Sequence, residues 1–230
     1  KSFIGDNMHG SFRKMLRESI HESQKCQRNW NLNEKILKED KELIVEAATN
    51  SPSKQNLNYF KLHVIEDREL IEKIHENTKG FGPIYKDFDA DKTPKKLAEK
   101  GISHYQESDE DGNWYTNSQV LGQMLLAFTK NEPTQVREKN DSYEEDRAMA
   151  IGISAGYVNM VATQLGYSTG CCKCMDSEAI TDVLGEAPIL LMGVGVSDKT
   201  RDRREHHVET DFKFPSLKSL KNIEVVAHPA

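Results

Sequence analysis

The run Ala187-Pro188-Ile189-Leu190-Leu191-Met192-Gly193-Val194-Gly195-Val196 is apolar without interruption, and such a segment can fold in few ways. It is far too short to cross a bilayer, which takes about 20 residues, so no membrane span is expected. Pro188 opens it, and its unbroken apolar character predicts a strand over Ile189 to Val196 buried on both faces. Other stretches carry clear periods. Phe12, Met15, Leu16 and Ile20 fall on related turns of a helix over Ser11 to Gln24. Leu43, Ile44, Ala47 and Ala48 stripe a second helix from about Glu39 to Thr49. That helix stops at Asn50-Ser51-Pro52-Ser53, because the residue before proline disfavours helical backbone. Phe60 to Ile65 alternates as a half-buried strand with His63 on its polar face, and Asp67 then caps a helix carrying Leu70, Ile71 and Ile74.

Val120 to Thr129, with Met124 to Phe128 at its centre, predicts a buried strand, although a short helix would look similar. Asp141 to Leu165 is the clearest long helix. Along it Ala148, Gly152 and Gly156 recur every fourth residue, which lets another backbone approach closely. Asp176 caps a last helix that ends at Gly185. Between Thr78 and Thr116 the pattern breaks into Gly, Pro and charge. Its aromatics, Phe81, Tyr85, Trp114 and Tyr115 among them, point to a lid or wall over an apolar ligand, with a surface helix pair as the other reading.

A length of 230 residues with 37% hydrophobic content fits one domain over 1–230, alone or as the protomer of an oligomer. The formal net charge of -6 argues against a nucleic-acid surface, which leans on clustered Lys and Arg. Three of the four cysteines form Cys171-Cys172-Lys173-Cys174, where a helix is expected to end in a glycine-marked turn that offers main-chain N–H groups to a ligand. Buried structural thiols are the plain reading. Zinc usually takes two separated pairs of ligands, and with Cys26 as the only other thiol no metal site is expected. Without a secretory leader a disulfide framework is not expected either, and the chain reads as cytoplasmic and reduced. Basic residues gather at two element ends, Lys25 with Arg28 and Lys199-Thr200-Arg201-Asp202-Arg203-Arg204. They could jointly clamp one phosphate, or the second group could be a solvated tail. Neither GxGxxG nor GxxxxGK[ST] occurs.

Four segments, in order, resemble the flavin-dependent nitroreductase family. Gln24-Lys25-Cys26-Gln27-Arg28-Asn29-Trp30 is similar to the family's basic-basic-Ser-x-basic-x-aromatic opening, and Ser51-Pro52-Ser53-Lys54-Gln55-Asn56 to its Pro-Ser-x-x-Asn turn. Leu165-Gly166 and the turn after it resemble the loop along the flavin's reactive face, and Arg201-x-Arg203 resembles the C-terminal basic pair. Departures are Gln24 where Arg is common, Cys26 where Ser is usual, and Lys173-Cys174 where Glu-Gly or Gly-rich residues often stand.

The resemblance implies an α+β, nitroreductase-like fold: a central mixed or antiparallel sheet flanked by helices, in an intertwined homodimer that exchanges residues 212–230. Ile223, Val225 and Ala227 alternate in that extension and could add a strand to a partner's sheet. It implies one FMN at each of two sites built from both subunits. Lys25, Cys26 and Arg28 would lie near the phosphate, ribityl chain and pyrimidine edge, and Arg201 and Arg203 would complete the phosphate clamp. Pro52, Ser53, Lys54 and Asn56 would reach the partner's flavin, whereas Cys172, Lys173 and Cys174 would line the N5 side of the chain's own flavin with main-chain N–H groups. Asn117, with Gln119 beside it, would contact the pyrimidine ring. The implied activity is FMN-dependent oxidation of NADPH or NADH with reduction of a small acceptor such as a nitroaromatic or quinone. No side chain need act as nucleophile. Dehalogenation or enoate reduction on the same fold is an alternative, as is a non-enzymatic redox or metal sensor using Cys171, Cys172 and Cys174.

Overall fold

The computed structural model describes residues 3–78, 117–133, 143–204 and 223–228. In chain order its regular elements are α1 (Phe3–Ser23), α2 (Lys38–Thr49), β1 (Phe60–Ile65), α3 (Arg68–Glu76), β2 (Met124–Lys130), α4 (Tyr143–Gln164), β3 (Ser168–Cys172), α5 (Ser177–Leu184) and β4 (Pro188–Gly195). Among the described residues the strands form one antiparallel sheet in the order β1-β2-β4-β3.

The apolar runs occupy the middle of that sheet, because only a strand with neighbours and helices on both sides can bury every residue. On β2, Met124, Leu126 and Phe128 face one way and join Ile44 and Ala48 of α2 and Ile151, Ala155, Val158 and Ala162 of α4. Leu125 and Ala127 face the other way, against Ile71 and Ile74 of α3 and Ile180 of α5. β4 divides likewise, Met192 and Val194 to the first cluster and Leu191 to the second. The caps agree with the sequence: Asp67 accepts from Glu69 N and Leu70 N, Asp176 accepts from Glu178 N and Ala179 N, and Gly185 closes α5 at φ 82°.

Three expectations shift. α1 begins earlier than Ser11, at Phe3. The strand expected over Val120 to Thr129 starts only at Met124, since Ser118–Val120 forms a 3-10 turn. The cysteines do not sit in a turn: Gly166, at φ 88°, turns the chain out of α4, and Cys171 and Cys172 then pair in β3 with Met192 and Leu191. The expected lid lies outside the described residues apart from Thr78, which bridges to Met175. Most of 212–230 also lies outside them, and its described part, 223–228, joins no strand, with Ile223, Val225 and Val226 exposed.

Two polar clusters fix the sheet's surroundings. Arg147, 1% exposed, donates through Nε to Tyr59 O at 3.0 Å, pairs with Glu144, and sits 4.8 Å over the Tyr143 ring. It thereby ties the start of α4 to the chain entering β1. Along the first half of β1, Glu186 accepts from Lys61, from Thr129 Oγ1 (2.6 Å) and from His63 (3.1 Å). The Lys61 ammonium, then the Thr129 hydroxyl and His63, hold its carboxyl down at about 2.

Arg147→Ala is expected to cost about 2–4 kcal/mol, because it leaves buried acceptors unmet, and urea unfolding measures it. Glu186 has a folded pKa below its ordinary 4.5, so its contribution is full above that value and is lost as pH falls towards about 2. The difference in urea midpoint between the wild type and Glu186→Gln should therefore be largest near neutrality and vanish by about pH 2.

Candidate functional site

The stretch after α1 does not wander over the surface. Gln27 N–H donates to Thr169 O of β3 (2.9 Å), Arg28 N–H to Arg203 O (3.1 Å) and Asn31 N–H to Val196 O (2.9 Å). Trp30 forms a bridge with Ser197, and its indole donates to Ser118 O at 2.9 Å. Gln27 and Asn29 are buried and bonded to each other, and Asn29 reaches on to Asp202 O. Arg203 Nη1 returns a bond to Cys26 O at 3.2 Å. Residues 25–31, 117–120, β3 and 196–204 are thus one construction.

Two paired glycines make room for it. Gly170 and Gly193 stand opposite each other on β3 and β4. A Cβ on Gly170 would come within 2.7 Å of Gln27 O and 2.8 Å of Gln119 O, and one on Gly193 would overlap Gln119 O. Without side chains there, the sheet carries the 117–120 turn directly on its surface.

The residues singled out in the sequence separate into three groups. Lys25, Arg201 and Arg203 line one cleft of about 250 Å³, together with Lys199, Asn159 and Thr163. Glu22, which pairs with Lys25, and Asp198 line it too. Arg28 belongs to a second, adjoining group. In the amide orientation that satisfies both ends, Gln119 accepts from Arg28 Nη2 (3.1 Å) and donates to Cys171 O (3.0 Å) and Asn117 Oδ1 (2.8 Å). Burial lowers the Arg28 pKa most. The Cys26 and Cys172 thiols pull it up, and the nearby Arg203 and Arg204 guanidiniums push it down. A cation held among cations and stripped of water favours an anion beside it.

Cys172 ends β3 on the same side, 2% exposed, while Cys171 packs on the opposite face with the α4 cluster. Burial pushes both thiols up to about 12. Beyond them Lys173 is exposed and Cys174 half-buried. Among the described residues no group of three or more His, Cys, Asp or Glu is placed to hold a metal ion.

The third group lies elsewhere. Ser53 Oγ donates to Leu57 O (2.7 Å), Lys54 Nζ pairs with Asp146 Oδ2 (2.7 Å), and Pro52 and Asn56 are exposed. Gln55 and Asn56 both hold left-handed backbone, at φ 54° and 56°, a costly shape for two successive residues with side chains. Asp146 stands near the start of α4, whereas Asn159 and Thr163 of the cleft stand near its end. At 1.5 Å per residue the two are about 20 Å apart along the helix axis. One chain therefore does not bring 52–56 to Arg28.

Of the basic run expected after the last strand, Arg204 joins the charges around Arg28 while paired with Asp202, and Lys199 lines the cleft. Sequence reasoning missed the Asn159–Thr163 pair, polar residues four apart on a largely apolar helix.

The family model described as the nitroreductase family matches residues 23–196. The chain belongs to the nitroreductase family. The match takes in the 25–31 stretch, the whole sheet and the cysteines, and stops short of Arg201 and Arg203. No curated protein matches. Solved structures share the nitroreductase fold at low identity. A nitroreductase family protein from Clostridium novyi NT is 17% identical, with a TM-score of 0.56 over 82% of this chain and 90% of its own. A nitroreductase from Exiguobacterium sibiricum, solved in complex with FMN, is 16% identical, with a TM-score of 0.55 over 88% and 92%. An iodotyrosine deiodinase bound to FMN and 3-iodo-L-tyrosine is 16% identical, with a TM-score of 0.57 over 94% and 99%. Among the described residues no helix is long and apolar enough to cross a membrane.

Gly193→Ala is expected to force the 117–120 turn off the sheet, at a cost of about 1–3 kcal/mol. Thermal unfolding measures the loss, and an unchanged melting temperature would show that the turn yields freely.

Proposed function

We propose that this nitroreductase-family chain binds FMN and works as an NAD(P)H oxidoreductase on a small acceptor of the nitroaromatic or quinone class. The observation that carries the reading is the convergence of Lys25, Arg28, Lys199, Arg201, Arg203 and Arg204 around the outer edge of β3, in a chain whose formal net charge is -6. Cations drawn together from two distant stretches match a phosphate, and a guanidinium fixed by an amide matches the polar edge of a flavin ring.

The residues fit the group in charge, and in size they fit its phosphate end. A cleft of about 250 Å³ is smaller than the roughly 300–1,000 Å³ of whole-cofactor pockets, so one chain offers room for the phosphate end only. A second copy of the chain would complete the site. α4 supports that reading: Met149, Ile153 and Tyr157 are exposed on it, and a Cβ on Gly152 or Gly156 would meet nothing within 4 Å. Such a stripe suits close approach by another helix. The strained 52–56 turn, about 20 Å along α4 from its own cleft, would serve the partner's flavin.

When bound, FMN supplies the redox chemistry, accepting hydride from NADPH or NADH and passing electrons to the acceptor. The chain's residues bind and orient. Lys25, Arg201 and Arg203 hold the phosphate, with Cys26 beside them. Arg28, steadied by Gln119, offsets negative charge at the pyrimidine edge, with Asn117 next to it. Cys172, Lys173 and Cys174 bring main-chain N–H groups to the other side of the ring. The partner's Pro52, Ser53, Lys54 and Asn56 close the slot and exclude water.

The test is a visible spectrum of protein supplied with FMN, taken before and after anaerobic addition of NADPH and then NADH. Bound flavin that bleaches supports the reading, and protein that stays colourless with FMN present overturns it. Arg28→Ala should raise the FMN dissociation constant about 10- to 100-fold, as loss of a charged hydrogen bond does. An unchanged constant would remove Arg28 from the site.

A further inference from the structure

We propose that Cys172 and Cys174 form a reversible intramolecular disulfide, which makes the end of β3 a two-electron centre that small disulfides oxidise. Of the three neighbouring cysteines only these two share a side. Cys171 alternates to the opposite face of the sheet and packs against the α4 cluster, whereas Cys172 and Cys174 both pack against the cluster of Trp30, Val120 and Ile180. Cys172 is the last residue of the β3 ladder. Its Sγ lies 3.4 Å from Cys174 O and donates to it, so the sulfur is turned along the chain towards residue 174. Cys174 lies past the ladder, between the end of β3 and the Thr78–Met175 bridge. It is therefore held at two nearby points yet unconstrained by strand pairing, which leaves the chain at 173–174 room to shift and bring the two sulfurs together.

Exposure divides the work between them. Cys174 is half-buried and meets a solution disulfide first, while Cys172, at 2% exposure, cannot. The Cys174 thiolate attacks a small disulfide RSSR, an S–S bond forms to one half, and the other half leaves as RSH after taking up a proton. The Cys172 thiol then gives up its proton and attacks the Cys174 sulfur, which forms the internal disulfide and releases the second RSH. Two protein thiols are oxidised and one small disulfide is reduced to two thiols. Burial keeps Cys172 protonated until then, and the nearby Arg28 guanidinium eases its deprotonation. Closing so small a ring reorients Lys173 and Cys174, so the state of the pair sets where their main-chain N–H groups point.

The experiment uses the full chain equilibrated in mixtures of oxidised and reduced glutathione, alkylated, cut with trypsin and read by mass spectrometry. Trypsin cuts after Lys173, so a Cys172–Cys174 bond joins two peptides that are otherwise separate. The linked pair should rise with the share of oxidised glutathione, persist in Cys171→Ser and Cys26→Ser, and disappear in Cys172→Ser and Cys174→Ser. Circular dichroism of each variant confirms that it folds. Full alkylation of both thiols across the series would overturn the proposal, and so would a linkage that survives in Cys172→Ser. The readout needs no flavin, so a colourless protein would leave the result standing.

Discussion

The hydrogen bonds that hold residues 27–31 against β3 and the chain after β4 are the constraint on which the candidate site depends. Gln27 to Thr169, Arg28 to Arg203 and Asn31 to Val196 are ordinary main-chain bonds, each worth only about 1 kcal/mol net. Their effect is geometric. The first of them occupies an acceptor on the outer edge of β3, which would otherwise be unpaired. They also bring the basic residues that follow α1 beside those that follow β4. Gly170 and Gly193 then allow the 117–120 turn to lie on the sheet close enough for Gln119 to hold Arg28.

The resulting charge arrangement opposes folding unless something answers it. Burial makes it costly for Arg28 to stay charged, and the neighbouring Arg203 and Arg204 guanidiniums add to that cost. Asp202 answers Arg204, and Glu22 answers Lys25. Together these cations form a local positive patch on a protein of net charge -6. A bound anion lowers that cost, so ligand and fold should stabilise each other.

Much of the architecture was legible because burial writes a period into the sequence. The unbroken run from Ile189 and the cluster from Met124 to Phe128 became the two inner strands, and Asp67, Asp176 and Gly185 marked helix ends through their own chemistry. β3 was not legible. Ser168-Thr169-Gly170-Cys171-Cys172 has small residues, no alternation of charge, and a glycine that exists to admit Gln27 and Gln119, a contact no local pattern announces. At the site, the grouping of Lys25, Arg201 and Arg203 around one cleft followed the motif. Asn159 and Thr163 came only from the fold, since spacing along a chain does not reveal which distant loop a helix face meets.

α4 also acts as a ruler. Lys54 is pinned to Asp146 at one end, and the cleft is walled by Asn159 at the other. A helix couples distance to direction: one inserted residue adds about 1.5 Å and turns everything beyond it by about 100°. Between those two residues the chain has no tolerance for a change of length, even where single side chains could be exchanged freely. An insertion there would swing Asn159 and Thr163 out of the cleft wall while leaving the 52–56 turn where it was. In an assembly of two copies, both sites would fail together.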